Sequence, residues 1–217
     1  DLREQYDAVL ITIGASTDKK LGLEGEDSEG VMSAVQFLRN IGKNIITDLT
    51  GKEVAVIGGG NVSMDAVRTA KRLGAKKVSI VYRRRMADMT ALPGEINGAV
   101  AEGIELQTLK APATIDVDEN NHVKGIYVTP QMVSTIKNGR ASVRPTGEDD
   151  IYIPCDVLVV AIGQNIETAH FEAAGIPVSR GKILTTSTGA VEDMPDVYAG
   201  GDCSSGPATV IKAIAAA

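Results

Sequence analysis

The sequence predicts an α/β fold, and three segments of the chain predict it. A short β-branched run at residues 53–57 leads into Gly58-Gly59-Gly60 and then into a helical pattern. Residues 112–153 are β-rich segments joined by polar turns, which is typical of a small antiparallel meander. Residues 156–163 form an apolar strand that ends in glycine. We therefore expect a Rossmann-like domain that carries an antiparallel β-meander.

Flanking segments complete the predicted order of elements. Residues 6–14 form a buried strand that also ends in glycine, and residues 31–41 form a short helix. A second helix at 91–103 leads into a strand at 104–109. The first strand contains DAVLITIG, which is close to DVLVVAIG at 156–163. The two strands are either similar by chance, as buried strands often are, or equivalent strands of two related domains.

The glycine cluster has the spacing of a turn that binds phosphate. Gly58 permits a tight turn, and Gly60 lets the backbone approach a pyrophosphate where a Cβ atom would clash. The helix predicted at 61–73 directs its free N–H groups and positive dipole end at this turn. Ser63 replaces the third glycine of the usual G-x-G-x-x-G and is small enough for close packing, and Gly74 caps the helix. The inner face of this helix is predicted to carry Val62, Ala66, Val67, Ala70 and Leu73.

The end of the second strand indicates which dinucleotide the turn would bind. In units of this kind that bind NAD, an acidic residue about 20 positions onward accepts the ribose 2′-hydroxyl. Arg83 stands at that step here, followed by Arg84 and Arg85. A guanidinium donates charge-assisted, bidentate hydrogen bonds to a 2′-phosphate, which a carboxylate would repel. The segment therefore predicts an NADPH site, against the alternative that the arginines are a solvated basic loop.

Composition argues against several other classes of function. The net charge of −6 argues against a nucleic-acid partner, and 3% aromatic residues argue against base stacking on aromatic platforms. The sequence has no apolar run near 20 residues and no signal peptide, so we expect a cytoplasmic protein without membrane insertion. The chain begins at Asp1 without methionine, which indicates a piece of a longer protein.

Cysteine and histidine indicate no separate chemistry. Cys155 and Cys203 lie far apart in sequence and belong to no C-x-x-C motif, so we expect buried or incidental thiols. His122 and His170 stand in unrelated contexts, and no metal site is predicted.

The C-terminal segment contains a second glycine turn. A strand at 195–199 leads into Gly200-Gly201-Asp202, and a helix is predicted to begin after Gly206. An acidic side chain beside a helix start is unsuited to a bare phosphate but suits a hydroxyl group of a polyol. The alternative is an ordinary strand–turn–helix with an exposed aspartate.

In combination, these segments resemble the two-dinucleotide-domain flavoprotein reductases. The match is closest to the small (β) subunit of NADPH-dependent glutamate synthase and its iron–sulfur-associated relatives, which include a region of dihydropyrimidine dehydrogenase. GGGNVSMDA and VYRRR look like that family's NADPH site. RMADMTALPGE is similar to its continuation, although Met89-Thr90-Ala91 stands where many members have Met-Pro-Ala. VYAGGDCSSGPATVIKAIA resembles the C-terminal flavin motif, and YDAVLITIGAS and DVLVVAIGQN look like the crossings between domains.

The resemblance implies domains and site residues. It implies an NADPH-binding domain at 43–165 inserted between two parts of an FAD-binding domain, 1–42 and 166–217. Asp202 would meet the FAD ribitol, with Gly201 beside the pyrophosphate. The cofactor-binding residues implied for the whole chain are Gly58, Gly60, Asn61, Val62, Ser63, Asp65, Arg83, Arg84, Ile162, Gly163, Gly201 and Asp202.

The implied reaction is hydride transfer from NADPH to FAD. The flavin then passes single electrons to iron–sulfur clusters in another domain or subunit, such as a glutamate synthase large subunit. The cofactors perform this chemistry, so no side chain is predicted to be catalytic.

One part of the family pattern is absent from this sequence. The chain lacks the family's separate FAD-type glycine unit and its cysteine-rich region. We therefore expect the chain alone to be inactive, with FAD bound in a full-length parent, and to expose surface that permits a homodimer. Two alternatives stay open. One is a thioredoxin-reductase-like enzyme, which needs a redox cysteine pair, and the other is a non-catalytic dinucleotide-binding module.

Overall fold

The computed structural model describes residues 2–216. Its helices are α1 (Leu2–Gln5), α2 (Ala34–Gly42), α3 (Asn61–Arg72), α4 (Pro93–Ala101), α5 (Ala169–Ala173), α6 (Asp202–Ser205) and α7 (Val210–Ala215). Its strands are β1 (Val9–Ile11), β2 (Thr17–Asp18), β3 (Val31–Ser33), β4 (Glu53–Ile57), β5 (Lys77–Tyr82), β6 (Glu105–Thr108), β7 (Lys110–Val117), β8 (Val123–Lys137), β9 (Arg140–Pro145), β10 (Ile151–Pro154), β11 (Val157–Val160), β12 (Gln164–Asn165), β13 (Val178–Ser179), β14 (Lys182–Ile183), β15 (Ala190–Val191) and β16 (Met194–Ala199).

The described residues form two compact units. The central unit runs from Lys19 to Ile162, and the flanking unit combines the residues up to Asp18 with those from Gly163 onward. The structure therefore divides before Lys19, where the sequence led us to expect a boundary after residue 42. The reason is pairing: β3 lies beside β11 in the sheet of the central unit, and α2 packs against α3.

The central unit is built on five parallel strands in the order β3-β11-β4-β5-β6. Its inner strands read EVAVI, KVSIVY and VLVV, and almost all of their residues are buried. Near-continuous apolar strands of this kind are expected where both faces of a parallel sheet are covered. The carboxyl ends of β4, β5 and β11 therefore meet at one edge.

Helices cover one face of this sheet and an antiparallel sheet covers the other. Phe37 of α2 and Met64 of α3 are fully buried against the first face. Ile126 and Val128 of β8 pack with Leu158 of β11 on the second face. The antiparallel sheet consists of β7, β8 and β10, with β9 paired to the distal part of β8. The predicted antiparallel meander is confirmed.

The helix after the glycine turn forms as predicted, with one exchange on its inner face. It ends in a Schellman motif, since Gly74 N–H donates to Lys71 C=O and Ala75 N–H to Ala70 C=O. Gly74 has φ +88°, which confirms its predicted role as cap. Val62 was placed on the inner face but is exposed, because helical rotation directs Met64 into the core instead.

The helix predicted at 31–41 begins later than expected. Residues Val31–Ser33 form β3, and α2 starts at Ala34. The Ser33 hydroxyl accepts a hydrogen bond of 3.1 Å from Gln36 N–H, so a serine cap sets the boundary between strand and helix.

The flanking unit contains a three-stranded sheet in the order β1-β16-β15. The strand predicted as buried over residues 6–14 is only three residues long, and Leu10 is 55% exposed. Leu10 lies opposite Tyr198 on the parallel strand β16, and both side chains remain accessible. Ile11 and Val197 face the small core on the other side. The expectation of a buried strand is therefore wrong, because the small core of the flanking unit covers only one face of this sheet.

The C-terminal helix begins later than its sequence pattern indicated. A short helix, α6, follows Gly201 directly, and α7 starts only at Val210.

No helix within residues 2–216 has both the length and the apolar character needed to cross a membrane.

Both thiols are predicted to resist modification in the folded protein. Cys155 and Cys203 are free and buried. Burial raises the pKa of the Cys155 thiol to about 12, and the nearby carboxylates of Asp156 and Glu53 add to this effect. At pH 8, Ellman's reagent should therefore react with neither thiol until guanidinium unfolds the chain, when both should react.

The raised pKa also predicts how this thiol affects stability. Because the neutral thiol is favoured in the folded state, its contribution to the free energy of unfolding is present below the ordinary pKa of 9.0 and is lost as pH rises toward about 12.

The labelling experiment can also contradict the burial of either thiol. Rapid reaction of one thiol with Ellman's reagent before any loss of circular dichroism would do so.

Candidate functional site

The glycine turn lies at the carboxyl end of β4. Gly58 has φ +148°, a conformation that residues with side chains rarely adopt. A Cβ atom there would lie 2.4 Å from the Ala161 carbonyl oxygen and 2.5 Å from the Ser63 hydroxyl. Close contact between β4, β11 and the start of α3 therefore requires glycine, as the motif predicted.

The next two glycines have different reasons to lack a side chain. A Cβ atom on Gly59 would lie 2.7 Å from the ring of Tyr82, so internal packing excludes it. A Cβ atom on Gly60 would meet only the Thr90 hydroxyl, at 3.5 Å, and Gly60 has φ −99°. The protein's own packing does not demand glycine at position 60. The bare backbone at Gly60 leaves room for a ligand to approach the turn.

The first turn of α3 is available to an anion. Gly60 is the N-cap and offers no side-chain hydrogen bond, so no side chain of the turn competes for the first N–H groups. Asn61 and Val62 are exposed at this end. The Ser63 hydroxyl is buried and makes no hydrogen bond with any of residues 2–216. Asp65 is exposed one turn further along the helix.

A loop that the sequence did not assign to the site closes one side of the turn. The N–H groups of Thr90 and Ala91 donate to the Gly59 carbonyl at 2.9 and 3.0 Å. Leu92 N–H donates to the Asn61 side-chain oxygen at 2.9 Å. Asn61 therefore holds this loop through its side chain. These loop residues lie within RMADMTALPGE, a segment on which the family resemblance rests. They were not predicted as site residues because the segment contains no recognisable phosphate-binding motif.

The three arginines after β5 are in three different environments. Gly58 N–H donates to Val81 C=O, so the end of β5 lies directly beside the turn. Arg83 is exposed, and its side chain makes no hydrogen bond or ion pair with any other described residue. Arg84 is half-buried, and its Nε donates to the Ala141 carbonyl at 2.9 Å. Arg85 is held in a bidentate pair by Asp88, at 2.8 and 2.9 Å.

Asp88 is the centre of this arrangement, and its side chain has no exposed area. It accepts hydrogen bonds from the Arg85 guanidinium and from the N–H groups of Ala141 and Arg85. These donors hold the pKa of the Asp88 carboxyl well below its usual range, and the Arg85 guanidinium has the largest effect. The carboxylate is therefore charged throughout the neutral range, and Arg85 is already paired.

Ile162 and Gly163 were also predicted as site residues. Ala161 N–H donates to Ile57 C=O at 2.8 Å, which places the end of β11 beside the glycine turn. Ile162 follows and is 39% exposed. Gly163 belongs to the flanking unit and has φ +116°, so its backbone favours glycine.

The second predicted turn borders a cavity of the flanking unit. This cavity measures about 270 Å³ and is lined by Thr12, Gly14, Gly201, Asp202 and Ala213, among others. Gly201 has φ +73°, which favours glycine. The Asp202 carboxylate accepts a hydrogen bond of 3.2 Å from Ala208 N–H, which orients it at the cavity.

A comparison with protein families agrees with this geometry. The model of the pyridine nucleotide-disulphide oxidoreductases matches residues 2–217. The chain belongs to this family. It is 36% identical over 217 residues to the β subunit of an NADP(+)-dependent formate dehydrogenase from Moorella thermoacetica, a match that covers 99% of this chain and 31% of that protein. It is 32% identical over 232 residues to the small chain of NADPH glutamate synthase from Escherichia coli K12, with 99% and 49% covered.

Solved structures of the same class share the fold. FprA of Mycobacterium tuberculosis, solved in complex with NADPH, aligns with a TM-score of 0.76 at 23% identity. The alignment covers 97% of this chain and 61% of FprA. This pyridine nucleotide-disulphide oxidoreductase chain spans about a third to a half of the length of these two relatives.

The family name includes disulphide reduction, but the two cysteines of this member do not form a redox pair. Cys155 contributes to the core between the two sheets of the central unit. Cys203 lies in the core of the flanking unit, where its thiol donates to the Gly200 and Ile11 carbonyls. Each thiol is thus buried in a separate unit.

Proposed function

We propose that the chain binds NADPH at the glycine turn of the central unit. We further propose that it serves a flavoprotein oxidoreductase in which a hydride passes from NADPH to FAD. The observation that carries this proposal is the open backbone at Gly60, which lies beside the uncapped start of α3. Arg83, at the end of the neighbouring strand, has no side-chain partner among residues 2–216 and suits a 2′-phosphate.

The residues of the turn fit a dinucleotide. Gly58 keeps the turn tight, Gly60 admits the pyrophosphate, and the first N–H groups of α3 neutralise its charge. The bound nucleotide would supply the hydride, and the chain's role is to bind and orient it. The names of the relatives support this cofactor, since both include NADP or NADPH.

Isothermal titration calorimetry tests the proposed cofactor. NADPH should bind about 30-fold more tightly than NADH, because two charge-assisted hydrogen bonds at a partly exposed site contribute about 1 kcal/mol each. Equal affinities for the two nucleotides would refute the assignment of the arginines to a 2′-phosphate.

The flanking unit supports the flavin part of the proposal. Asp202 faces a cavity beside Gly201, and its carboxylate can accept a hydrogen bond from a ribityl hydroxyl. The matching half of such a site, a second G-x-G-x-x-G, does not occur in this sequence. We therefore propose that residues 2–18 and 163–216 form part of an FAD-binding domain.

A flavin-retention experiment tests this division. After incubation with FAD and desalting, the chain should be colourless and should not reduce a dye with NADPH, because only part of the flavin site is present. The measurement is the visible absorption spectrum, with the intact relative from Escherichia coli as a positive control. A retained flavin band near one equivalent would show that these residues suffice.

We also propose that electrons leave the flavin for iron–sulfur clusters in a partner domain or subunit. The relatives are named as a β subunit and a small chain, which supports a multi-subunit assembly. Whether that partner is a glutamate synthase large subunit, and whether the exposed sheet face of the flanking unit mediates a homodimer, stay predictions.

A further inference from the structure

The outer edge of strand β9 contacts the arginine cluster. Within the described chain, β9 pairs only with β8. Thr146, just after β9, donates its N–H toward β8, to the Pro130 carbonyl. Backbone groups alternate in direction along an antiparallel strand, so the odd-numbered residues of β9 direct their N–H and C=O groups away from β8. At Ala141 both outward groups are engaged: its N–H donates to Asp88 and its C=O accepts from Arg84, each at 2.9 Å.

These two bonds are located where the hairpin is anchored. Residues 132–140, which include the tip of the β8–β9 hairpin, are all exposed. Ala141 is only 2% exposed. The distal hairpin therefore has little core of its own, and its position against the rest of the central unit depends on the contacts at Ala141.

The same bonds orient Arg84. Its Nε is engaged by the Ala141 carbonyl, which restricts a long side chain and leaves the two terminal nitrogens of the guanidinium for another acceptor. Arg85 differs from Arg84, because both its Nε and one terminal nitrogen donate to Asp88. The contact with the hairpin thus leaves Arg84 able to bind a phosphate, whereas the contact with Asp88 leaves Arg85 already paired.

We propose that the β8–β9 hairpin is a selectivity element of the NADPH site, in which Ala141 positions Arg84 for the 2′-phosphate and Asp88 secures the hairpin. This proposal rests on the proposed NADPH function and adds residues outside the glycine motif. Ala141 and Asp88 act as positioning residues, since neither is required to touch the nucleotide.

The test compares two nucleotides that differ only in the 2′-phosphate. Binding of adenosine 2′,5′-bisphosphate and of 5′-AMP is measured by calorimetry on the full 217-residue chain. Ala141→Pro removes the N–H that donates to Asp88. Val143→Pro is the matched control, because position 143 lies on the same outward-facing edge and the strand already ends in Pro145.

Ala141→Pro should weaken binding of the bisphosphate about fivefold, as expected for losing one charge-assisted hydrogen bond at a partly exposed site. Binding of 5′-AMP should stay within about twofold of the unmutated chain in both proline variants. This unchanged binding also shows that the variant is folded. Unchanged bisphosphate binding by Ala141→Pro, or an equal loss for both nucleotides, would overturn the proposal.

A second variant guards against an effect specific to proline. Arg85→Ala combined with Asp88→Ala removes the securing ion pair without leaving either charge unpaired, and it should also lower bisphosphate affinity selectively. If this double variant loses affinity while Ala141→Pro does not, Arg85 itself binds the phosphate and the hairpin has no such role. If the unmutated chain does not distinguish the two nucleotides, the proposed NADPH function fails first.

Discussion

Gly60→Val should weaken NADPH binding on the order of 100-fold while the chain remains folded. Gly60 has an extended backbone, with φ −99° and ψ 177°, which valine adopts readily. The nearest described atom to an added Cβ is the Thr90 hydroxyl at 3.5 Å, so a Cβ atom at this position clashes with no described residue. A branched side chain at this position would instead occupy the space through which a pyrophosphate approaches the backbone. We expect affinity to fall on the order of 100-fold, which corresponds to about 2.7 kcal/mol.

Gly59→Ala is the matched control in the same turn, because we expect it to lower stability, whereas Gly60→Val should lower NADPH affinity. Its Cβ would lie 2.7 Å from the Tyr82 ring, so we expect a loss of about 1–3 kcal/mol of unfolding free energy. Gly60→Val should cost about 1 kcal/mol or less, since valine is a poorer N-cap than glycine. Urea denaturation and calorimetry separate the two effects. A folded Gly60→Val chain with unchanged NADPH affinity would mean that the phosphate site lies elsewhere.

Arg83→Ala combined with Arg84→Ala should remove the preference for NADPH. The exposed Arg83 has no partner among residues 2–216, and Arg84 has terminal guanidinium nitrogens to donate, so both are suited to a 2′-phosphate. We expect NADPH affinity to fall about 30-fold, since two charge-assisted bonds at a partly exposed site contribute about 1 kcal/mol each. NADH affinity should change less than about twofold, because NADH has no 2′-phosphate.

The control for that experiment must lose the same charge at a distant place. Arg39→Ala combined with Arg72→Ala removes two cations from the ends of α2 and α3 that are remote from the glycine turn. This variant should leave the ratio of the two affinities unchanged. A similar fall in NADPH affinity in the control would attribute the effect to general electrostatics, and its salt dependence would show this.

Local sequence patterns were sufficient for elements that neighbouring residues determine. The strand–turn–helix–strand unit at 53–82, the cap at Gly74 and the antiparallel sheet all appear where periodicity and turn residues predicted them. Buried strands and glycine turns follow from backbone sterics and apolar burial, which a short segment carries by itself. Family membership is confirmed for the same reason, since the resemblance rested on such segments.

Burial and boundaries were predicted less well, because they depend on distant partners. Leu10 belongs to an apolar run, yet it is exposed since nothing described covers that face of its sheet. Val31 to Ser33 was predicted as the start of a helix but forms β3, because these residues pair with β11. No window of local sequence contains the information about which strand lies alongside.

The sequence by itself predicted a phosphate site at the glycine turn and determined that cations follow the second strand, because glycine spacing and residue type are local properties. Only the tertiary structure decided what each of these residues does. It showed that Gly59 is needed for packing against Tyr82, whereas Gly60 is open. It also distinguished three adjacent arginines, since Asp88 and Ala141 reach them from other parts of the chain. Hydrogen bonds between residues far apart in sequence exist only after folding, so adjacent residues of one type can acquire different roles.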